Sequence, residues 1–477
     1  MKKGRVCDIA NQQFMNEQKQ TARQLIATAR GTAEASPARL KLQTLFDANT
    51  FVETGVFVAR SGIAGQGGVA LEGVVTGYGA INGELVYAFA QDGNRMHGAM
   101  DENHAKKIES LYHLALSNGA PMVGIFDCSG ASIYEGVSAM AAYGRVLSCV
   151  TEASGAIPQI AIVDGLATGT MAAVVAMFDF VLSTDKASLY VVSPALTGAN
   201  QTKEATGDYA TCAGYARALV TKLPPVCDAD VIETDTTDDA NRPLSLSDFQ
   251  NGMSHLLVAT ADFGSYLEVN PCDKHTSITA FATMGGVACG VLATNPAINE
   301  GRLTSFDARK LSRFVRFCNA FNLPVVTMVN SRGVDMGEED DVAYAAELAR
   351  LAQAYASADI PMVTVYVGSA IGSAYILLGS KAVGADVVYA LPEAEIGALS
   401  ADAAVAFVQN NSITSPEHRT ELEENWKETV SSSLSAAAYG EVDDIIDEEE
   451  LRARICSALY MMRGEGPTEK VGAIDTL

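Results

Sequence analysis

A chain of 477 residues exceeds what one ordinary hydrophobic core organises, so two domains are expected. Its 48% hydrophobic and 19% charged residues suit large, well-buried α/β domains and exclude a disordered chain. The 57 acidic against 33 basic residues give a formal net charge of −24, which excludes a general nucleic-acid or anionic-membrane surface; an anionic substrate would need a locally basic mouth.

The start, MKKGRVCDIANQQF, lacks the apolar core of a signal peptide, and a surface helix is expected over Gln12–Arg30. A short helix is expected over 38–47. From Gly73 the pattern turns to strands: GVVTGYGAINGELVYAFAQD places Asn82-Gly83 between two β-rich runs, a strong hairpin signal. The amphipathic segment His104–Ala120 would turn Ile108, Leu111, Leu114 and Leu116 to a core. A strand, Met122–Phe126, then leads into Asp127-Cys128-Ser129-Gly130-Ala131-Ser132 and a helical Glu135–Val150. After it comes AIPQIAIVDGLATGTMAAVVAMFD (156–179), a strand feeding a glycine turn feeding a helix, and then Phe180-Val181-Leu182-Ser183.

Residues 226–249 are acidic and Thr-rich, and 229–249 is expected to be a linker; the spacing lacks the glycine and terminal glutamate of a calcium loop. Beyond it the pattern restarts. TAFATMGGVACGVLATNP repeats the hairpin signal, Ser305–Asn322 repeats the amphipathic helix, and Pro324–Gly333 parallels Pro121–Gly130. Pro158 likewise parallels Pro361, and the offset is 203 in both cases (324 − 121 and 361 − 158). Two copies of one α/β domain are expected, an N-terminal domain over 1–228 and a C-terminal domain over 250–477. The charged tail after Thr414 is expected to be helical at 416–432 and 447–463 and to pack outside the second domain.

Each copy supplies two strand–turn–helix junctions. One pair is Ser129-Gly130-Ala131 and Arg332-Gly333-Val334; the other is Gly169-Thr170 and Gly372-Ser373-Ala374. Backbone N–H groups at such places are fixed before charge develops, so they suit stabilisation of an enolate or similar oxyanion. Glycine and alanine there also allow close helix–sheet packing, the plainer reading of any one junction; four at matching places favour function. No phosphate-cradling Gly-x-x-x-x-Gly-Lys-Ser/Thr is present. His97 and His104 lack a third ligand, and no metal is expected. The nine cysteines form no Cys-x-x-Cys, and reduced thiols in a cytosolic protein are expected. No stretch reaches the ~18 apolar residues of a membrane span. Glu135 could serve as a base or simply favour a helix start. Neither Ser129 nor Ser373 has a convincing base nearby, which disfavours a hydrolase triad.

The chain resembles the carboxyltransferase component of biotin-dependent acyl-CoA carboxylases and decarboxylases, the propionyl-CoA carboxylase β-subunit type. The resemblance runs from about Arg39 to Arg463 and rests on Glu72–Asp92 with His104–Ile108, DCSGASIYEG (127–136), Gly155–Asp179, KLSRFVRFCNAFNLP (310–324) and GSAYILLGSK (372–381). It implies two tandem crotonase-like (ClpP/crotonase) β-β-α superhelix domains. It also implies acyl-CoA on the N-terminal side, biotin on the C-terminal side, and an active site shared between subunits of a hexamer, a trimer of dimers. By position the acyl-side oxyanion pair falls on Gly169 and Thr170, and the biotin-side pair on Ser373 and Ala374; Ser129, Gly130, Ala131, Gly333 and Gly372 are the substrate-binding candidates. The chain departs from the family pattern at Ser129 (usually Gly), Ser132 (usually Arg), Thr170 (usually Gly), Asn330–Val334 (usually Asp-x-Pro-Gly-Phe) and Gly368-Ser369 (often Arg-Lys). No Met-Lys-Met biotin acceptor is present, so a separate biotin carboxyl carrier protein is implied, with a biotin carboxylase or a membrane decarboxylase subunit as further partner. The expected function is carboxyl transfer between that biotin and an acyl-CoA of the propionyl/methylmalonyl or acetyl/malonyl class, in the cytoplasm or peripherally at a membrane partner. The alternatives are a non-catalytic scaffold subunit of such a complex and a crotonase-type hydratase or isomerase using Glu135.

Overall fold

The computed structural model describes residues 36–462 apart from 59–71, 193–205, 228, 230–233, 273, 336 and 338–339, together with some positions between 20 and 31. Most of the helix expected over Gln12–Arg30 lies outside the described residues. The chain divides into two units, Met1–Val226 and Cys227–Leu477.

The first unit runs α1 (Pro37–Leu45), β1 (Val52–Thr54), β2 (Val74–Ile81), β3 (Glu84–Gln91), α2 (Glu102–Asn118), β4 (Met122–Cys128), α3 (Val137–Ala153), β5 (Gln159–Thr168), α4 (Thr170–Met177), β6 (Phe180–Ser183), β7 (Ser188–Tyr190) and α5 (Tyr209–Lys222). Its strands form one sheet in the order β1-β2-β3-β4-β5-β6, with β7 paired to the far end of β5. β2 and β3 are the antiparallel hairpin that Asn82-Gly83 signals; β3 to β6 are parallel, each crossover carried by a helix. Helix α2 starts on Asp101, whose side chain accepts from the His104 N–H, and stops at Gly119 in the left-handed region. Its buried face is His104, Ala105, Ile108, Leu111, Tyr112 and Ala115, a 3- and 4-residue spacing; Leu116 packs at its margin, while Leu114, expected in the core, falls between these positions and is exposed. Phe126 sits edge-on between Phe89 and Phe178, at centroid distances of 5.3 and 5.2 Å, so sheet and helix α4 close on one aromatic stack.

The second unit runs α6 (Leu246–Gln250), α7 (Met253–Thr260), β8 (Leu267–Glu268), β9 (Ser277–Met284), β10 (Val287–Thr294), α8 (Ser305–Ala320), β11 (Val325–Ser331), α9 (Asp341–Ala356), β12 (Met362–Ile371), α10 (Ser373–Leu377), β13 (Val387–Ala390), β14 (Ile396–Gly397), α11 (Ala401–Val408), α12 (Pro416–Thr429), α13 (Ser433–Ala438), β15 (Asp444–Ile445) and α14 (Leu451–Met461). Its sheet order is β15-β13-β12-β11-β10-β9-β8, with β14 on β12.

The offset of 203 extends to pairing register and to single dihedral angles. Val74 pairs with Gln91 and Ser277 with Thr294; Met122 pairs with Gln159 and Val325 with Met362. Met96 and His97 hold φ of 50° and 55°, and Asn299 and Glu300 hold 46° and 52°. This is the tandem crotonase-like ββα architecture expected from the resemblance.

Two expectations about the second unit change. The described part of the acidic stretch 229–249 makes fixed contacts within this unit: Asp238 carries the Arg242 guanidinium at 3.0 Å and lies 3.3 Å from Arg452 Nη2. Helix α14 is core rather than an outer tail, because Leu451, Ile455, Ala458, Leu459 and Met462 recur at helical spacing and bury against β9, β10 and β12. Fully buried Arg452 anchors it, donating to the Thr260 carbonyl at 2.5 Å and to Asp262 at 2.6 Å. By contrast, α12 buries none of its residues.

Candidate active site

Both junctions of each unit lie at the C-terminal ends of parallel strands, where open α/β sheets present their helix starts. At the end of β4 the backbone of Ser129-Gly130-Ala131 is stitched to the turn before α2. Ser129 N–H donates to His97 C=O at 2.9 Å, Met100 N–H to Gly130 C=O at 2.9 Å, and Ser132 N–H to Met100 C=O at 2.8 Å. The Thr168 hydroxyl adds a bond to the Ser129 carbonyl at 2.9 Å. The second unit repeats the stitch: Arg332 to Glu300 at 3.1 Å, Leu303 to Gly333 at 3.1 Å, Asp335 to Leu303 at 2.8 Å. Gly130 and Gly333 hold φ of 118° and 117°. The Ser129 N–H is therefore spent inside the fold; among the described residues the Ala131 N–H has no backbone acceptor.

At the second junction Gly169 has φ 62°, ψ −129° and Gly372 has φ 56°, ψ −126°, a conformation that disfavours a side chain. Each glycine's own N–H is committed, Gly169 to Tyr190 C=O at 3.0 Å and Gly372 to Gly397 C=O at 2.8 Å. The N–H groups at the helix starts without a backbone acceptor among the described residues are those of Thr170 and Met171 in the first unit and Ser373, Ala374 and Tyr375 in the second. Thr170 and Met171 match Ser373 and Ala374 at 203; of the expected pair Gly169 and Thr170, the Gly169 N–H is occupied by β7, a strand that lies beyond the junction in sequence. Thr170 is exposed at this mouth and Met171 is buried behind it.

Between the junctions stands Asp127, which the motif reading passed over. Its Oδ1 accepts the Leu166 N–H at 3.0 Å, and its own N–H donates to Gln91 Oε1 at 3.2 Å. With Gln91 so oriented, its Nε2 lies 3.3 Å from His104 Nε2, leaving His104 Nδ1 3.6 Å from Glu72. Burial works to raise the Glu72 carboxyl, but the neighbouring His104 ring, the Gly73 N–H and Asp101 outweigh it and hold Glu72 below the usual carboxylate range. Burial raises Asp101, reinforced by the Glu72 charge although the His104 N–H opposes it. Lys107, whose Nζ donates to Val74 C=O at 2.6 Å, is lowered to about 8 by desolvation. Its match at 203, Lys310, donates to Ser277 C=O at 3.0 Å and is likewise lowered by burial. Glu135, the candidate base, has Oε2 on the Glu102 N–H at 2.8 Å, where it caps α2. The thiol of Cys128 is pushed up by burial. Among the described residues no group of three His, Cys, Asp or Glu is placed to hold a metal, no helix is long and apolar enough to cross a membrane, and the eight cysteines are free thiols.

The carboxyl transferase domain model matches residues 35–218 and 213–466. The chain belongs to the carboxyl transferase family. The class expected from the sequence, a biotin-dependent acyl-CoA carboxyltransferase of the propionyl-CoA carboxylase β type, is the one this membership supports. The chain is 35% identical over 459 residues to the methylmalonyl-CoA decarboxylase α subunit of Veillonella parvula, covering 89% of each chain. It is 32% identical to a putative propionyl-CoA carboxylase β chain of Bacillus subtilis, covering 92% of this chain and 93% of that one. A transcarboxylase 12S crystal structure, described as a hexamer with methylmalonyl-coenzyme A and methylmalonic acid bound, superposes with a TM-score of 0.83 at 28% identity, covering 96% of this chain and 98% of that one.

Proposed function

We propose that this carboxyltransferase moves a carboxyl group between an acyl-CoA of the propionyl/methylmalonyl or acetyl/malonyl class and biotin borne by a separate carrier protein. The observation that carries the reading is the doubled junction: two helix starts with the same glycine dihedral angles, each presenting two adjacent N–H groups without a backbone acceptor among the described residues. Loss of a carboxyl from the α-carbon of a thioester, or its gain, passes through negative charge on the thioester oxygen. In the first unit the Thr170 and Met171 N–H groups would hold that oxygen, with Ser129-Gly130-Ala131 lining the approach. Fixed N–H pairs in a site of this kind supply about 3–4 kcal/mol per donor to the charged state.

In the second unit the Ser373 and Ala374 N–H groups would take the ureido oxygen of biotin, with Gly333 and Gly372 beside them. When bound, biotin supplies the nitrogen that carries the carboxyl. A biotin carboxyl carrier protein and either a biotin carboxylase or a membrane decarboxylase subunit are the partners this reading calls for, around a hexameric core of this chain in the cytoplasm or docked at its membrane partner. We extend the reading to the domain limits: residues 1–228 serve the acyl side and 250–477 the biotin side.

Incubating the purified chain with free biotin and malonyl-, methylmalonyl- or glutaconyl-CoA tests this. Biotin-dependent loss of the CoA-borne carboxyl is expected from at least one; no biotin-dependent turnover of any, nor of non-CoA β-keto acids, contradicts it.

A further inference from the structure

The parallel ladders that carry the junctions are both broken at the same place. β4 and β5 run in register to Phe126–Val163 and resume at Cys128–Ala167; β11 and β12 run to Val329–Tyr366 and resume at Ser331–Ala370. The longer strand therefore gains two residues on its way to the helix start, and a slack of that kind needs a tie if the helix start is to point one way. In each unit one side chain sits in the break. Asp127 Oδ1 accepts the Leu166 N–H at 3.0 Å, and Asn330 Oδ1 accepts the Ser369 N–H at 3.0 Å. Each has its own N–H held by the preceding strand, Asp127 by Gln91 at 3.2 Å and Asn330 by Thr294 at 2.8 Å. Each fills the space left by a glycine: a Cβ at Gly165 would fall on the Asp127 carboxylate, and one at Gly368 on the Asn330 amide.

We propose that Asp127 and Asn330 are positioning residues, each tying the slack in its neighbouring strand so that the Thr170–Met171 and Ser373–Ala374 N–H groups are aimed at the reacting oxygen. Leu166 lies four positions before Thr170, and Ser369 four before Ser373, so the tied N–H sits in the last residues of the strand that runs into the donors it directs. The units differ in charge at this position and agree in geometry. What does the work is the acceptor oxygen, and the negative charge of Asp127 is incidental to it. This inference rests on the proposed function for its choice of donors.

The test uses the full chain and four variants: Asp127→Asn, Asp127→Ala, Asn330→Asp and Asn330→Ala. The readouts are biotin-dependent decarboxylation well below each variant's melting temperature, and hydrogen exchange at Leu166 and Ser369. The Asn and Asp exchanges keep an acceptor oxygen and are expected to keep most of kcat and the amide protection. The alanine variants are expected to lose protection at the tied amide and about 10- to 100-fold in kcat, the scale of a misplaced catalytic group, with KM for the CoA thioester little changed. A purely structural role would lower the melting temperature of the alanine variants and leave kcat of the folded enzyme intact, which overturns the proposal. A large loss of kcat in Asp127→Asn or Asn330→Asp also overturns it, and those two variants carry the test if the alanine ones do not fold. An inactive wild-type chain would contradict the proposed function instead; the exchange measurement would still decide whether the ties exist.

Discussion

The first and second units share dihedral angles, strand register and the two helix-start junctions, yet the side chains around those junctions differ in charge and type. Asp127 is matched by Asn330, Thr170 by Ser373, Met171 by Ala374 and Gln91 by Thr294. His104, buried beside Glu72, is matched by Asp307, which accepts the Ser277 N–H at 2.9 Å and caps α8 through Thr304. A function carried by backbone N–H groups constrains where the chain goes and leaves the side chains free to suit each ligand. The departure from the family pattern at Thr170 falls on a residue whose N–H survives the exchange.

The comparison can be broken first where the units are least alike. Arg452 ties α14 to Asp238 and Asp262 in the second unit alone. Arg452→Met leaves the buried Asp262 carboxylate without its cation, while Asp238 keeps Arg242, and should cost the second unit about 3–5 kcal/mol, read as an earlier urea transition for its signals while those of the first unit hold. Equal loss in both would mean the units do not have separate cores.

At the junctions the units should respond alike. Proline is tolerated at the first position of a helix and removes one N–H. Thr170→Pro and Ser373→Pro should each cut kcat by about 10²–10³ with little change in melting temperature, the loss expected for one oxyanion donor. Gly165→Ala and Gly368→Ala come next, since each drives a Cβ into the side chain that ties the strand; about 1–3 kcal/mol of stability should go in both, measured by thermal unfolding. The smallest effect sharpens the likeness of Lys107 and Lys310. Both are depressed by burial, so the unfolded chain binds more protons between the folded value, about 8 for Lys107, and the ordinary 10.5. The penalty for burying the ammonium is complete below pH 8 and fades as pH rises. Relative to Lys107→Met, the wild type should therefore gain about 1 kcal/mol between pH 8 and pH 9 in urea midpoints, and a flat difference would show that Lys107 is not desolvated.

Much of this architecture was legible in the chain. Asn82-Gly83 and Gly285-Gly286 mark hairpins, two prolines at 121 and 324 and two at 158 and 361 give the repeat, and the helix periods of α2 and α8 are plain. What local reading could not give depends on residues distant in sequence. Tyr190, on β7, accepts the Gly169 N–H, which is why the proposed donor pair is Thr170 with Met171. Glu102, at the start of α2, consumes Glu135. Asp127 had a signal in hand, since it and Asn330 lie 203 apart, as do Gly165 and Gly368, but only the three-dimensional ladder shows why a glycine must face each. The charges of α14 suggest an outer tail, but its apolar period at 451, 455, 458 and 459 places it in the core.

The central claim is that one device, doubled, serves two ligands. Its most direct test is the affinity of Thr170→Pro and Ser373→Pro, in the assembled protein, for a CoA thioether bearing a nitronate in place of the enolate. Thr170→Pro should weaken it by about tenfold or more while Ser373→Pro leaves it unchanged, with the reverse order for biotin. A thioether weakened by Ser373→Pro and indifferent to Thr170→Pro would contradict the assignment of acyl group and biotin to the two units.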